Sequence, residues 1–325
     1  MQMTMIEALN QALALELERD PRVVLLGEDI GPNGGVFRVT ERLQEKFGER
    51  RVFDTPLAES AIIGTSIGMA VYGLRPIAEI QFGGFLFVCM NQLASQAARI
   101  RFRSAGVYTC PLVVRAPYGG GVRTPELHSD SMEGLFLQAP GFKIVMPSNP
   151  YDAKGLLASA VADPDPVLFL EHIKLYRSFR QETPEDHYMI PLGKANVVQE
   201  GSDASVFAYG AMVQTALEAA KSAQKEMGTS VEVIDLRTVW PLDEDAIAAS
   251  VEKTGRAIVV HEAPRAGGVG AEVTAVINER CLYSLLKPVE RVTGYDTPYP
   301  APGQEDYYVP SPARVLAALK RVMEP

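Results

Sequence analysis

The sequence predicts an α/β protein of two domains, and three observations carry that expectation. Short apolar runs, at residues 23–26, 112–115 and 167–170, alternate with longer segments of helical period. Such alternation is the mark of a mostly parallel, doubly wound sheet. The pattern breaks over residues 174–201, a polar stretch carrying Pro184 and Pro191, and resumes at Ala204. The expected division is a first domain over 1–180, a linker over 181–200 and a second α/β domain over 201–325, with no detectable repeat between the two halves.

Taken in order, Thr4 and Glu7 form a capping box, and Met5, Leu9, Leu13 and Leu17 give the first helix one apolar stripe before Asp20-Pro21 ends it. Residues 23–26 read as a buried strand, 39–47 as an amphipathic segment and 51–53 as a strand. Thr55 as N-cap and Pro56 after it predict an apolar helix over 61–71. A strand over 76–80, a helix over 92–101 and a strand over 112–115 follow. A glycine-rich loop leads to a strand at 142–146, a helix at 151–161 and a strand at 167–170. The second domain reads as strands at 204–209, 231–236 and 257–261, and helices at 212–226, 243–253, 271–286 and 312–322.

Composition narrows the function classes. The chain of 325 residues is 47% hydrophobic and 22% charged, an ordinary soluble composition. A formal charge of −9 argues against a nucleic-acid surface or an anionic membrane face. Cys89, Cys110 and Cys281 are far apart, which suggests a reducing compartment and excludes a cysteine zinc cluster. The start lacks a basic region before its apolar residues, and no apolar run approaches the ~20 residues a membrane span needs. A cytoplasmic, soluble protein is the expectation.

The string FDTPLAES, residues 53–60, places Glu59 in the first turn of an apolar helix, among Leu57, Ala58, Ala61, Ile62 and Ile63. A carboxylate suits the positive end of a helix dipole, so a structural role is open. A carboxyl buried in that company would also be poised to share a proton. The loop Pro117-Tyr-Gly-Gly-Gly-Val122 follows a strand, where open α/β sheets bind ligands, but it is neither a Walker loop nor a dinucleotide fingerprint. It reads either as a flexible turn or as the carrier of His128, which stands among polar residues as a surface histidine or an acid/base group. Gly267-Gly-Val-Gly270 reads as a glycine turn or an anion site at a helix start. The turn at residues 160–166 offers carbonyls and two carboxylates to a hard cation, and a simple turn explains it equally well. No histidine pair has metal-ligand spacing, no nucleophilic serine elbow exists, and any chemistry points to a cofactor.

The strings FDTPLAES, AEIQFGGFLF, GGGVRTPELHSDS, PYDAKGLL, FLEHIKLYR and VIDLRTVWPLD follow one another in this order. Over essentially the whole length the chain resembles the beta subunits of thiamine-diphosphate-dependent 2-oxo acid dehydrogenases, and within them the bacterial pyruvate branch. The resemblance implies a transketolase-like pyrimidine-binding domain followed by a transketolase C-terminal-like domain. It implies that Glu59 hydrogen-bonds a pyrimidine nitrogen of the cofactor, that Phe85 stacks on the ring, and that Leu57 and Gln81 line the pocket. His128 matches the histidine that orients intermediates and serves acyl transfer to a lipoyl group. By the same correspondence Leu112, Ala160, Val161, Asp163 and Asp165 would bind a structural potassium ion; Asp165 stands where some relatives have Asn.

The family's diphosphate and magnesium motif, from Gly-Asp-Gly to Asn-Asn, is missing from this chain. The resemblance therefore implies a cofactor held at its pyrimidine end here and at its diphosphate end by an alpha subunit, in a heterotetramer of two alpha and two beta chains. The second domain would serve assembly and docking to a dihydrolipoyl acyltransferase core. Thr124-Pro-Glu-Leu before His128 leans toward pyruvate as substrate. A branched-chain 2-oxo acid or acetoin counterpart, and a non-catalytic scaffold subunit, are the alternatives.

Overall fold

The computed structural model describes residues 1–324. Its larger sheet has seven strands, in the order Thr238–Trp240, Lys143–Val145, Val167–His172, Val113–Tyr118, Arg75–Glu79, Val23–Gly27 and Val52–Asp54. All pair in parallel except the first. Successive side chains enter opposite layers: Val113, Val167 and Phe169 join one apolar core, and Val114, Leu168 and Leu170 the other. Burial on both faces is why these strands read as continuous apolar runs rather than as alternation.

Helices Met5–Arg19 and Pro150–Ala162 contribute to the first of these cores, and Glu59–Val71 to the second. The Thr4–Glu7 capping box forms as the sequence predicts, and Asn149 caps the helix that opens with Pro150. The second sheet has the order Glu290–Val292, Ala257–Val260, Ala204–Ala208, Val231–Asp235, Asn196–Gln199, parallel except at its last strand. Met212–Met227 and Pro312–Met323 cover one face, Glu244–Thr254 and Val269–Cys281 the other.

Four local readings change. The helix after Pro56 starts at Glu59 with Ala58 at the cap, and Thr55 makes no capping bond; its hydroxyl is buried without a partner. Only Leu43–Phe47 of the 39–47 segment is helical, because Arg38 and Arg42 both turn to positive φ. Residues 92–101 form no single α-helix: a π-turn at Asn91–Gln96 passes through Ala97–Arg99 to a short α-turn at Ile100–Arg103. The polar stretch after Lys174 carries two strands, Gln181–Glu182 against Gln2–Met3 and the edge strand Asn196–Gln199. Edge strands with one solvated side give little apolar pattern to read. Thr238–Trp240 in turn reaches back from the second half to complete the first sheet.

Candidate active site

The segments that follow four parallel strands of the larger sheet carry the expected site residues, at the carboxyl ends where such sheets bind ligands. After Gly27 comes Glu28; after Asp54 comes the turn to Glu59; after Glu79 comes Gln81 to Phe85; after Tyr118 comes the loop to His128. A Cβ on Gly27 would lie 2.7 Å from the Glu79 carbonyl oxygen, so glycine lets the neighbouring strand ends close up.

Glu59 is the first residue of its helix and only 8% exposed. None of the hydrogen bonds or ion pairs among the described residues engages its carboxylate. Its charge is felt nearby. Burial, then Asp29 and Glu59, raises the Glu28 carboxyl; burial, then Glu59, pushes the Cys89 thiol up to about 12. The Ser60 hydroxyl donates to the Val88 carbonyl at 2.7 Å, tying this helix start to the turn Gly83–Phe87 that presents Phe85.

Phe85 and His128 meet edge to face, with ring centroids 5.3 Å apart. Phe82 lies closer to His128, at 4.1 Å, and 5.8 Å from Phe85. His128 Nδ1 is buried without a partner. Leu57 is 70% exposed at the rim, and Gln81 is half-buried beside Phe82. The structure thus brings Phe85 and His128 into contact and sets Glu59 on a segment bonded to the same turn.

Within the sheet, at the end of the strand Arg75–Glu79, lies a buried network that the sequence reading missed. Arg115 donates to both oxygens of Glu171, at 2.6 and 2.7 Å, and to Glu79 at 2.7 Å, while the Tyr176 hydroxyl donates to Glu171 at 2.7 Å. Burial raises the Glu79 carboxyl against the pull of Arg115. Burial opposes the charge on Arg115, but the two carboxylates outweigh it and hold the guanidinium protonated. A signal was present: Glu79 and Arg115 are charged interruptions of apolar strands, and the register sets them opposite each other.

The glycine-rich segments serve packing, the one at Gly120 between the two halves and the one at Gly268 within the second. The Gly120 N–H donates to Glu262, whose other oxygen pairs with His172 Nε2 at 2.8 Å. A Cβ on Gly120 would fall 1.6 Å from the Tyr299 hydroxyl. Gly268 and Gly270 leave room for His261, which burial pushes down to about 4. His187 pairs with Glu16. Among the described residues no group of three or more His, Cys, Asp or Glu could hold a metal ion.

At the turn after Pro150–Ala162, Arg75 donates to the Val161 carbonyl at 2.7 Å and Lys143 to the Asp163 carboxylate at 2.8 Å. Asp165 pairs with Arg101, and the Leu112 and Ala160 carbonyls accept from Val167 and Asp163. No helix among the described residues is long and apolar enough to cross a membrane.

Comparison with known proteins agrees with this architecture. Residues 1–178 match the transketolase pyrimidine-binding domain, and residues 193–315 the transketolase C-terminal domain. The chain is 56% identical over 323 residues to the pyruvate dehydrogenase E1 component subunit beta of Staphylococcus aureus, covering 99% of each chain. It matches the same subunit of Staphylococcus epidermidis with the same identity and coverage. Among solved structures, a split-gene transketolase described as an inactive beta4 tetramer superposes with a TM-score of 0.80 at 23% identity, over 99% of this chain and 98% of that one. The α/β fold with two transketolase-like domains is therefore the one the sequence predicts, and the chain belongs to the family of pyruvate dehydrogenase E1 beta subunits.

Proposed function

We propose that this chain acts as the beta subunit of the first component of a 2-oxo acid dehydrogenase complex, in the thiamine-diphosphate-dependent oxidative decarboxylation of pyruvate. One observation carries the site assignment: Glu59 is only 8% exposed, and its carboxylate makes no bond within its own chain, next to a segment that presents an aromatic ring. A mostly enclosed carboxylate left without a partner is free to take a hydrogen bond from a ligand. A flat heterocycle with a basic ring nitrogen fits that demand, and the unpartnered His128 Nδ1 beside Phe85 fits a polar reacting group close by.

Thiamine diphosphate, when bound, supplies the nucleophilic carbon and the electron sink that decarboxylation of a 2-oxo acid requires. Glu59 would hold the hydrogen bond to the pyrimidine nitrogen and keep a proton there. Phe85 would face the ring, with Leu57 and Gln81 at its edge. His128 would orient the substrate end and assist acyl transfer to a lipoyl acceptor. Neither Gly-Asp-Gly nor Asn-Asn occurs in the chain, so the diphosphate and its magnesium fall to an alpha subunit. The name "subunit beta" carried by the relatives supports an oligomeric enzyme, which we take as two alpha and two beta chains. In this reading residues 1–180 hold the pyrimidine end, 181–200 link, and 201–325 serve assembly and docking to the dihydrolipoyl acyltransferase core. The oxygen donors of Leu112, Ala160, Val161, Asp163 and Asp165 are of the type a potassium ion takes; each carbonyl has a second lone pair beside the one its present donor uses.

The test is co-expression with the alpha partner and measurement of carbon dioxide release from pyruvate and from branched-chain 2-oxo acids. Release is expected from the assembled enzyme with pyruvate preferred. Turnover by the isolated beta chain, supplied with thiamine diphosphate and magnesium, would sink the divided site.

A further inference from the structure

A histidine that works on a substrate is usually held by a hydrogen bond from its far nitrogen to a carboxylate or carbonyl. His128 lacks one: Nδ1 is buried and unpartnered, and no hydrogen bond among the described residues engages either ring nitrogen. Its backbone is well fixed. The His128 N–H donates to the Pro125 carbonyl at 3.0 Å, and buried Ser129 bonds back to the Thr124 and Pro125 carbonyls. Gly84 permits that loop to seat, because a Cβ there would lie 2.1 Å from the Leu127 carbonyl oxygen. Two aromatic rings, Phe82 and Phe85, pack on the side chain.

Of those rings, Phe82 is the closer, with centroids 4.1 Å apart and planes at 61°. It is 8% exposed and braced from behind. Phe37 packs on it edge to face at 5.6 Å and leans on Tyr176 at 5.1 Å, whose hydroxyl is anchored in the Arg115 network. Phe85, the other ring on His128, is half-buried and is the one assigned to the cofactor. We propose that Phe82 is the positioning residue for His128, fixing the imidazole by ring contact where a hydrogen-bonding partner would otherwise stand. This rests on the reading of His128 as the group that serves acyl transfer.

The test uses Phe82→Leu, and Phe82→Met as a second variant that keeps apolar bulk without a flat edge, each in the enzyme assembled with its alpha subunit. Two readouts are compared. One is the rate at which diethyl pyrocarbonate modifies His128, followed by peptide mass spectrometry. The His128 peptide is well isolated within this chain, whose other histidines are buried His172 and His261 and the Glu16-paired His187. The other is transfer to a lipoyl acceptor against decarboxylation followed with an artificial oxidant.

We expect modification of His128 to quicken by about fivefold and transfer to fall about tenfold through kcat, with decarboxylation changed about twofold at most. An unchanged modification rate in both variants overturns Phe82 as the residue that holds the ring. Faster modification with transfer intact overturns the positioning role and, separately, the transfer role of His128. Equal loss in both reactions without faster modification marks a structural effect and overturns the proposal as well.

Discussion

Two groups of polar side chains sit at the carboxyl ends of the same parallel strands, and they are built in opposite ways. Around Arg115 every element is matched: a guanidinium forked onto Glu171, a third bond to Glu79, and Tyr176 closing the set. Around Glu59 and His128 the protein is less closed and leaves polar atoms without partners: the Glu59 carboxylate makes no bond within the chain, and His128 Nδ1 is buried unpartnered. Saturation separates these two groups, although Glu133 Oε2, Gln181 Oε1 and His261 Nε2 are also buried and unpartnered. A network that satisfies itself holds strands in place, whereas a buried acceptor left open is a cost the fold carries for a ligand.

The sharpest way to break this comparison is at Glu59. Glu59→Gln keeps the shape and removes the proton, so decarboxylation by the assembled enzyme should fall by about 10²–10⁴-fold. Because no bond within the chain is lost, melting temperature and assembly should hold to within the error of a thermal scan. Turnover near that of the parent would remove Glu59 from the mechanism. Arg115→Met should do the reverse. It strands Glu79 and Glu171 in the interior, and breaking such a buried pair costs about 3–5 kcal/mol. Chemical denaturation would read that loss directly. A change below about 1 kcal/mol would show that the network is not holding the strands.

The contrast also explains what was legible in the sequence. The larger sheet was readable because strands buried on both faces, such as Val167–His172, are apolar runs that nothing else resembles. Glu59 was readable as a carboxylate among apolar neighbours, and His128 as a histidine on a polar loop after a strand. The meeting of His128 with Phe85 was not, since it depends on turns as tight as Gly84 against Leu127. The Arg115 network was missed because its members come from strands up to 92 residues apart, between Glu79 and Glu171, and pairing across strands follows register rather than local period. The helix cap was misplaced for a related reason. Thr55 is the right residue type for capping, but the turn through Pro56 and Leu57 delays the helix to Glu59.

Asp235 stands between the two extremes. It joins the halves of the molecule: Ser148 donates its hydroxyl to one oxygen, and the Arg237 N–H donates to the other at 2.9 Å. It is nonetheless pushed up to about 7, first by burial and then by the nearby Asp152 carboxylate, whose own partner is the Arg237 side chain. Two hydrogen bonds, in other words, do not offset desolvation here. The sign follows from proton binding. Below about pH 3 the folded and unfolded forms are both protonated at this residue, and its stabilising contribution is fully present. As pH rises toward 7 the unfolded chain gives up the proton first, so stability falls by at most about 1.4 kcal/mol per pH unit and levels off above the folded value. Asp235→Asn removes that titration. The variant should therefore gain on the parent in denaturation midpoint between pH 5 and pH 7.5, with a difference that grows across the window and then stays constant. A difference that does not vary with pH would place Asp235 with the fully satisfied groups around Arg115, and saturation would then require counting bonds alone, without the desolvation that this residue makes visible.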